Sequence, residues 1–171
     1  MKTAISLLMT LPGTPYIYYG EEIGMLGVKP DEHIREPFLW NENGKDPGQT
    51  KWIDPKYSTE ESVMPLARQT KDEHSLYNYY KQLVWRRNSS RVLSYGDIVN
   101  TDLKHSRLIS FIRSTDDESY LILHNISSKL VKIKLPDSLL QFRNIQFSSE
   151  TDATLENGKC TLPPHSTLIL N

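Results

Sequence analysis

The stretch TPYIYYGEEIGM, Thr14 to Met25, joins an apolar run to two neighbouring carboxylates, and its reading decides the fold. Thr14 to Tyr19 shows no polar alternation and is rich in aromatic and β-branched side chains. That pattern suits a strand covered on both faces, as in a parallel sheet or barrel. The run stops at Gly20 and hands over to Glu21 and Glu22. Upstream, residues 1–10 read as a helix with Ala4, Ile5, Leu8 and Met9 on one side, ended by Pro12-Gly13. Helix, tight turn and buried strand make half of a repeating α/β unit. Lys2 ahead of an apolar segment imitates a signal peptide, but no small-x-small cleavage site follows. The start therefore reads as the middle of a longer arrangement.

Downstream, residues 24–56 lose all periodicity. Pro30, Pro37, Pro47 and Pro55 are spread with Gly27, Gly44 and Gly48 among charged residues and two tryptophans. A connection this long inside a compact domain points to a binding loop or lid. Two helices are expected next, a short one from Thr59 to about Gln69 and a stronger one from Asp72 to Asn88. In the second, Leu76, Tyr79, Tyr80, Leu83 and Val84 repeat at helical spacing, with Asp72 or Ser75 as cap. Past Asn88-Ser89-Ser90 the period changes to two. Short strands are expected at residues 107–113, 119–124, 129–135, 144–147 and 166–170, separated by turn clusters such as Glu156-Asn157-Gly158. The fold class is α+β: an N-terminal helix, strand, loop and two helices over residues 1–90, then an antiparallel β-sandwich over 91–171.

Composition narrows the partners. The chain has 171 residues, 37% of them hydrophobic, a net charge of -1 and a pI near 6.5. No cationic field is available for phosphate backbones or anionic lipid, so neither nucleic acid nor a membrane surface is expected. No apolar run approaches the roughly 20 residues of a membrane span. The single cysteine, Cys160, excludes an internal disulfide and leaves the compartment open between cytoplasmic and secreted.

Few residues are candidates for chemistry. Paired carboxylates perform acid/base and nucleophilic work in glycoside cleavage, which draws attention to Glu21 and Glu22. Neighbours on a strand, however, point to opposite faces, whereas retaining cleavage needs two carboxyl groups facing each other about 5 Å apart. One of them is then expected to close the strand end and the other to face the loop. In Arg35-Glu36-Pro37-Phe38-Leu39-Trp40, Arg35 offers a rigid fork of donors and Trp40 a flat apolar face, and sugars use both. The competing reading of that segment is an aromatic anchor with a structural Arg-Glu pair. His33 beside Asp31 and Glu32 cannot converge on one ion without a special turn, so no metal is assigned. No nucleophile elbow and no phosphate loop is present, and Cys160 reads as a buried thiol.

Taken together, Leu8-Met9-Thr10-Leu11-Pro12-Gly13 with Thr14 to Met25 resembles the last barrel strand of the α-amylase family of retaining α-glucoside hydrolases. Arg35 to Trp40 is similar to that family's last strand-to-helix loop, and Asp72 to Asn88 to its final barrel helix. The β-rich tail, with Phe111-Ile112-Arg113, Leu121 to Asn125 and Leu162 to Ser166, resembles its domain C. The resemblance implies an eight-stranded β/α barrel followed by a sandwich, with active-site residues at the C-terminal ends of the strands. It further implies an aspartate nucleophile, a glutamate acid/base and a second aspartate on strands earlier than the eighth, none of them in this sequence. The chain alone is then expected to be catalytically inactive. Arg35, Glu21, Glu22 and Trp40 are the substrate-binding candidates it carries for an α-glucan or maltooligosaccharide. No cofactor is assigned, and the ligands of the calcium found in many members lie outside these residues. An unpaired strand 14–19 is expected either to self-associate or to pack against the helices and the sandwich. The alternative function is a non-enzymatic carbohydrate-binding or interaction module. Tyr95, Phe111, Tyr120, Phe142 and Phe147 alternate like a core more than a sugar platform.

Overall fold

The computed structural model describes residues 1–42 and 46–171, so Gly44 of the expected loop lies outside the described residues. The chain forms two compact units, Met1 with residues 16–82, and residues 2–15 with 83–171. By its contacts the N-terminal helix groups with the β-rich part.

The reason lies in what α1 (Lys2–Thr10) buries. Ile5 and Met9 are buried as expected, but Ser6 and Thr10 complete the stripe in place of Ala4 and Leu8. Their hydroxyls donate back along the helix, Ser6 to the Lys2 carbonyl at 2.9 Å and Thr10 to the Ser6 carbonyl at 2.8 Å, so they enter the interior already satisfied. The carbonyls that a helix leaves unpaired at its C-terminus need donors from elsewhere. Arg87, on the final long helix α3 (Leu76–Ser89), donates to Met9, Leu11 and Gly13 carbonyls at 2.7, 2.9 and 2.6 Å. Arg113, on strand β2 (Leu108–Ser114), donates to the Thr10 carbonyl at 2.5 Å and twice to that of Gly96. Both guanidinium groups are buried, and burial lowers their pKa. Arginine nonetheless stays charged, and a cation is favoured at a helix C-terminus.

Residues 97–171 fold as two antiparallel sheets. The larger has the order β1 (Asp97–Asn100), β2, β3 (Ser119–Asn125), β8 (Thr167–Leu170), β5 (Ile145–Ser148). The smaller has the order β4 (Val131–Lys134), β7 (Lys159–Leu162), β6 (Thr154–Glu156). Leu121, Leu123, Leu168 and Leu170 from the larger sheet meet Val131, Cys160 and Leu162 from the smaller in one apolar core. The alternate residues of β3 and β8 are buried as well, because α1 lies against β3 on the opposite face. His124 points that way. One ring nitrogen bonds the Thr10 hydroxyl at 3.0 Å and the other the Thr167 hydroxyl at 2.8 Å.

Several elements depart from expectation. Strands β1, β6 and β7 lie outside the spans expected from the sequence, and each exists through its partner. Asn157 and Gly158, with φ of 49° and 72°, form the two-residue turn that suits a β6–β7 hairpin. A short helix α4 (Arg91–Tyr95), capped by the Ser90 hydroxyl, stands where strand periodicity was expected. The helix expected from Thr59 is confined to α2 (Leu66–Gln69), since Pro65 sets its start and residues 59–63 form turns. Helix α3 begins at Leu76, with the Ser75 hydroxyl accepting from the Asn78 amide at 3.2 Å, while Asp72 bonds the His74 amide instead.

The largest correction concerns residues 14–19. They form no strand among the described residues, and the eight strands pair only with one another. Tyr16 is 84% exposed, and Ile17, Tyr18 and Tyr19 are exposed too, so packing against the rest of the chain is not the solution adopted. An extended segment becomes a strand only when a neighbour supplies amides and carbonyls, and here none does.

Burial pushes the His124 pKa down to about 4. Between about pH 6.5 and that value the unfolded chain takes up a proton that the folded chain refuses, so this group erodes stability as pH falls. In urea denaturation, the stability gap between wild type and His124→Gln should narrow by about 2 kcal/mol from pH 7 to pH 4.5. A gap independent of pH would contradict the burial of the neutral ring.

Candidate functional site

The end of the TPYIYY run is set by one backbone conformation. Gly20 has φ of 88°, and a Cβ there would lie 2.5 Å from the Met25 sulfur, so only glycine fits. The chain then enters a 3₁₀ turn over Glu21–Ile23, closed by the Met25 amide donating to the Gly20 carbonyl at 2.8 Å. Glu21 and Glu22 therefore sit on a turn and not on a strand with opposed faces. Glu21 is exposed, whereas Glu22 is half-buried and its Oε2 has no partner among the described residues. Both carboxylates act on Tyr80 of α3, whose phenol is pushed up to about 12, first by burial and then by these two negative charges.

The loop that follows is held by Glu36. Its side chain is buried, and its carboxylate accepts the Lys56 amide at 2.9 Å, the Tyr57 amide at 3.1 Å to each oxygen, and the Ser58 amide at 2.8 Å. Charge-assisted bonds to backbone amides are among the stronger ones available. The Glu36 carbonyl receives the Tyr19 hydroxyl at 3.2 Å, and the Ser58 hydroxyl bridges to the backbone of Leu26. One carboxylate thus joins the two arms of the loop. The competing reading of this segment pairs Glu36 with Arg35; its carboxylate instead takes backbone amides some twenty residues away, where no local pattern marks them.

Arg35 turns outward. Its guanidinium bonds Asp31 at 3.1 Å, and both side chains are more than half exposed, so the pair contributes little to stability. The charge of Arg35 opposes the upward shift that burial and Tyr18 impose on the Tyr19 phenol. Trp40, 42% exposed, has its ring 4.5 Å from that of Phe38. The carbonyls of Leu39 and Trp40 accept the amides of Leu66 and Ala67, which ties this segment to the start of α2. Leu39 joins Ile23 and Val63 in a small apolar core, so the anchoring reading of the segment applies to Leu39 and the backbone, while the indole remains accessible.

A groove of about 660 Å³ lies beside this loop, lined by Pro37, Leu39, Lys51, Asp54, Glu60 and Glu61 among others. None of Arg35, Glu21, Glu22 and Trp40 belongs to its lining. The charges of Glu21 and Glu22 both act on Tyr80, and that of Arg35 acts on Tyr19, while none of the four candidates lines the groove described above.

Comparison with known proteins gives this arrangement its context. Residues 1–96 match the family model for the alpha amylase catalytic domain, and residues 108–169 match the model for the alpha-amylase SusG C-terminal domain. The chain belongs to the alpha-amylase family. Alpha-amylase 3 of Dictyoglomus thermophilum is 39% identical over 96% of this chain and 32% of its own. The amino acid transporter heavy chain SLC3A2 of Rattus norvegicus is 32% identical over 96% of this chain and 33% of its own. The crystal structure of alpha-amylase from H. orenii superposes with a TM-score of 0.81 at 34% identity, covering 99% of this chain and 34% of that one. The chain thus spans about a third of the length of these relatives. In fold it is a barrel end joined to a β-sandwich domain C.

Replacing Glu36 by glutamine keeps the shape but removes the charge and one acceptor oxygen. A bond to a charged group is worth about 1.5–3 kcal/mol, so amide exchange at residues 56–58 should accelerate at least tenfold in Glu36→Gln, with β3 and β8 unaffected. Unchanged exchange there would remove Glu36 as the loop's anchor.

Proposed function

We propose that this chain supplies the last barrel unit, residues 1–90, and domain C, residues 91–171, of an enzyme that cleaves α-glucosidic bonds in oligo- or polysaccharides. The observation that carries the proposal is the succession of catalytic-domain likeness over residues 1–96 and C-terminal-domain likeness over residues 108–169 along one chain. Its substrate is an α-glucan or maltooligosaccharide.

In this reading the turn at Glu21–Ile23 and the loop held by Glu36 stand at the mouth of the barrel, where the family's fold places its active site. Arg35 exchanges its solvent-exposed partner Asp31 for a sugar hydroxyl near the scissile bond. That exchange costs little, because the pair it breaks is weak. Glu21 and Glu22 contribute polar contacts to the wall, and Trp40 offers its exposed ring to the apolar face of a sugar. The nucleophile and the acid/base come from other strands, so the 171 residues by themselves have no turnover. The same proposal holds that the exposed segment 14–19, unpaired in this chain, self-associates when the chain is alone. Light scattering that found only monomer would remove that part.

A second reading, a non-enzymatic carbohydrate-binding or interaction module, is favoured by the likeness to the transporter heavy chain. Turnover separates the two. In the longer protein, Arg35→Ala should lower kcat/KM on short maltose- or isomaltose-type substrates by well over tenfold, the scale of a lost positioning clamp. An unchanged rate removes Arg35 from the site. Saturable maltooligosaccharide binding with no turnover by the longer protein establishes the second reading.

A further inference from the structure

The bonds that organise the Glu36 loop leave two buried atoms facing each other. His33 lies in the 3₁₀ turn Asp31–Ile34, and its Nδ1 is buried with no hydrogen-bond partner among the described residues. That nitrogen stands 3.7 Å from Oε1 of Glu36, whose side chain is fully buried. A carboxylate offers about four acceptor directions. The amides of Lys56, Tyr57 and Ser58 take three of them, with Tyr57 shared between the two oxygens. One direction remains, and solvent does not reach it. The Tyr57 ring meets the imidazole edge-on with centroids 5.7 Å apart, so the residue whose amide binds Glu36 also packs against His33.

These surroundings decide where the imidazole proton sits. A neutral ring carries it on one nitrogen and leaves the other as an acceptor. With Nδ1 bare, its lone pair would face a carboxylate oxygen away from water, which is repulsive; with Nδ1 protonated, the same pair attracts. The contact is longer than a hydrogen bond, and a closing shift of roughly half an ångström brings it to about 3.2 Å. We propose that His33 is a positioning residue for Arg35: its Nδ1–H, aimed at Glu36 Oε1, clips together the two ends of the stretch His33 to Glu36 on which Arg35 is carried. Arg35 follows the 3₁₀ turn with φ of -123° and ψ of 29°, and its guanidinium meets a weak, exposed partner in Asp31. Its direction is therefore set by the backbone on either side. That Arg35 then meets a sugar rests on the function proposed above; the contact between His33 and Glu36 rests on the geometry alone.

Nitrogen–proton correlation spectra of the imidazole rings, taken on the 171-residue chain at about pH 8 where an ordinary imidazole is neutral, report the tautomer directly. The signal set that disappears in His33→Asn should show Nδ1 protonated, and a bare Nδ1 overturns the proposal. Amide exchange at residues 56–58 should accelerate about fivefold or more in His33→Leu, which fills the space without a donor. It should return to the wild-type rate in His33→Asn, whose amide nitrogen takes the place of Nδ1. Exchange unchanged in His33→Leu, or equally fast in His33→Asn, reduces His33 to packing and overturns the proposal as well. In the longer protein, His33→Leu should lower kcat/KM on maltose-type substrates about threefold or more, and no further once Arg35 is replaced by alanine, because it acts through Arg35. Additive losses overturn the positioning role. If Arg35→Ala leaves the rate unchanged while Nδ1 is protonated and exchange responds, the sugar-binding role of Arg35 fails and the contact between His33 and Glu36 stands.

Discussion

Two buried arginines meeting the end of one helix are the constraint on which much of this structure depends. The last turn of α1 ends against the β-rich unit, where the bonds to the Met9 and Thr10 carbonyls are buried. Arg87 and Arg113 satisfy four of the exposed-end acceptors, at Met9, Thr10, Leu11 and Gly13. No carboxylate is bonded to either guanidinium among the described residues. The helix C-terminus itself acts as the negative partner, an arrangement that spares the unit a buried ion pair and its desolvation cost. His124 joins the same end through the Thr10 hydroxyl, so one short stretch of backbone and side chain ties α1 to α3, β2 and β3.

That constraint explains why the N-terminal helix leaves the elements next to it in sequence and joins a sandwich that begins some ninety residues later. It also fixes the point at which the chain departs for the candidate site. Beyond Gly13 the chain carries no regular secondary structure up to Gly20, turns sharply there, and enters a loop organised by a second buried charge, Glu36. The two anchors follow the same chemistry. In each, a buried ion is neutralised by backbone dipoles, arginine by carbonyls and glutamate by amides, and polar backbone that would otherwise be stranded is satisfied.

How far the sequence revealed this follows from the range of each interaction. Helix α3 and strands β2, β3 and β8 were legible because their signal is periodic and local. Strands β6 and β7 are not marked by alternation, although Asn157-Gly158 is a hairpin signal that exposes them. The stripe on α1 was misjudged because hydrophobicity alone favours Ala4 and Leu8 over Ser6 and Thr10, while the hydroxyls are made buriable by bonds to their own helix. At the site, Arg35, Glu21, Glu22 and Trp40 were legible as residue types, but Glu36 was not. Its partners at 56–58 are remote, and nothing in Arg35-Glu36-Pro37 marks the second residue as an anchor. Residues 14–19 read as a strand because composition reports what a segment needs, not whether neighbours are present to provide it.

The account stands or falls on α1 being held by charge at its C-terminal end and not merely by the apolar contacts of Ile5 and Met9. Native-state amide exchange on Arg87→Met, which keeps an unbranched apolar stem but removes all three donors, tests this most directly. Three bonds to a charged group, each worth roughly 1.5–3 kcal/mol, predict that amides of residues 7–11 lose protection by at least a hundredfold while β2, β3 and β8 keep theirs. Protection in α1 equal to that of the wild type would contradict the account.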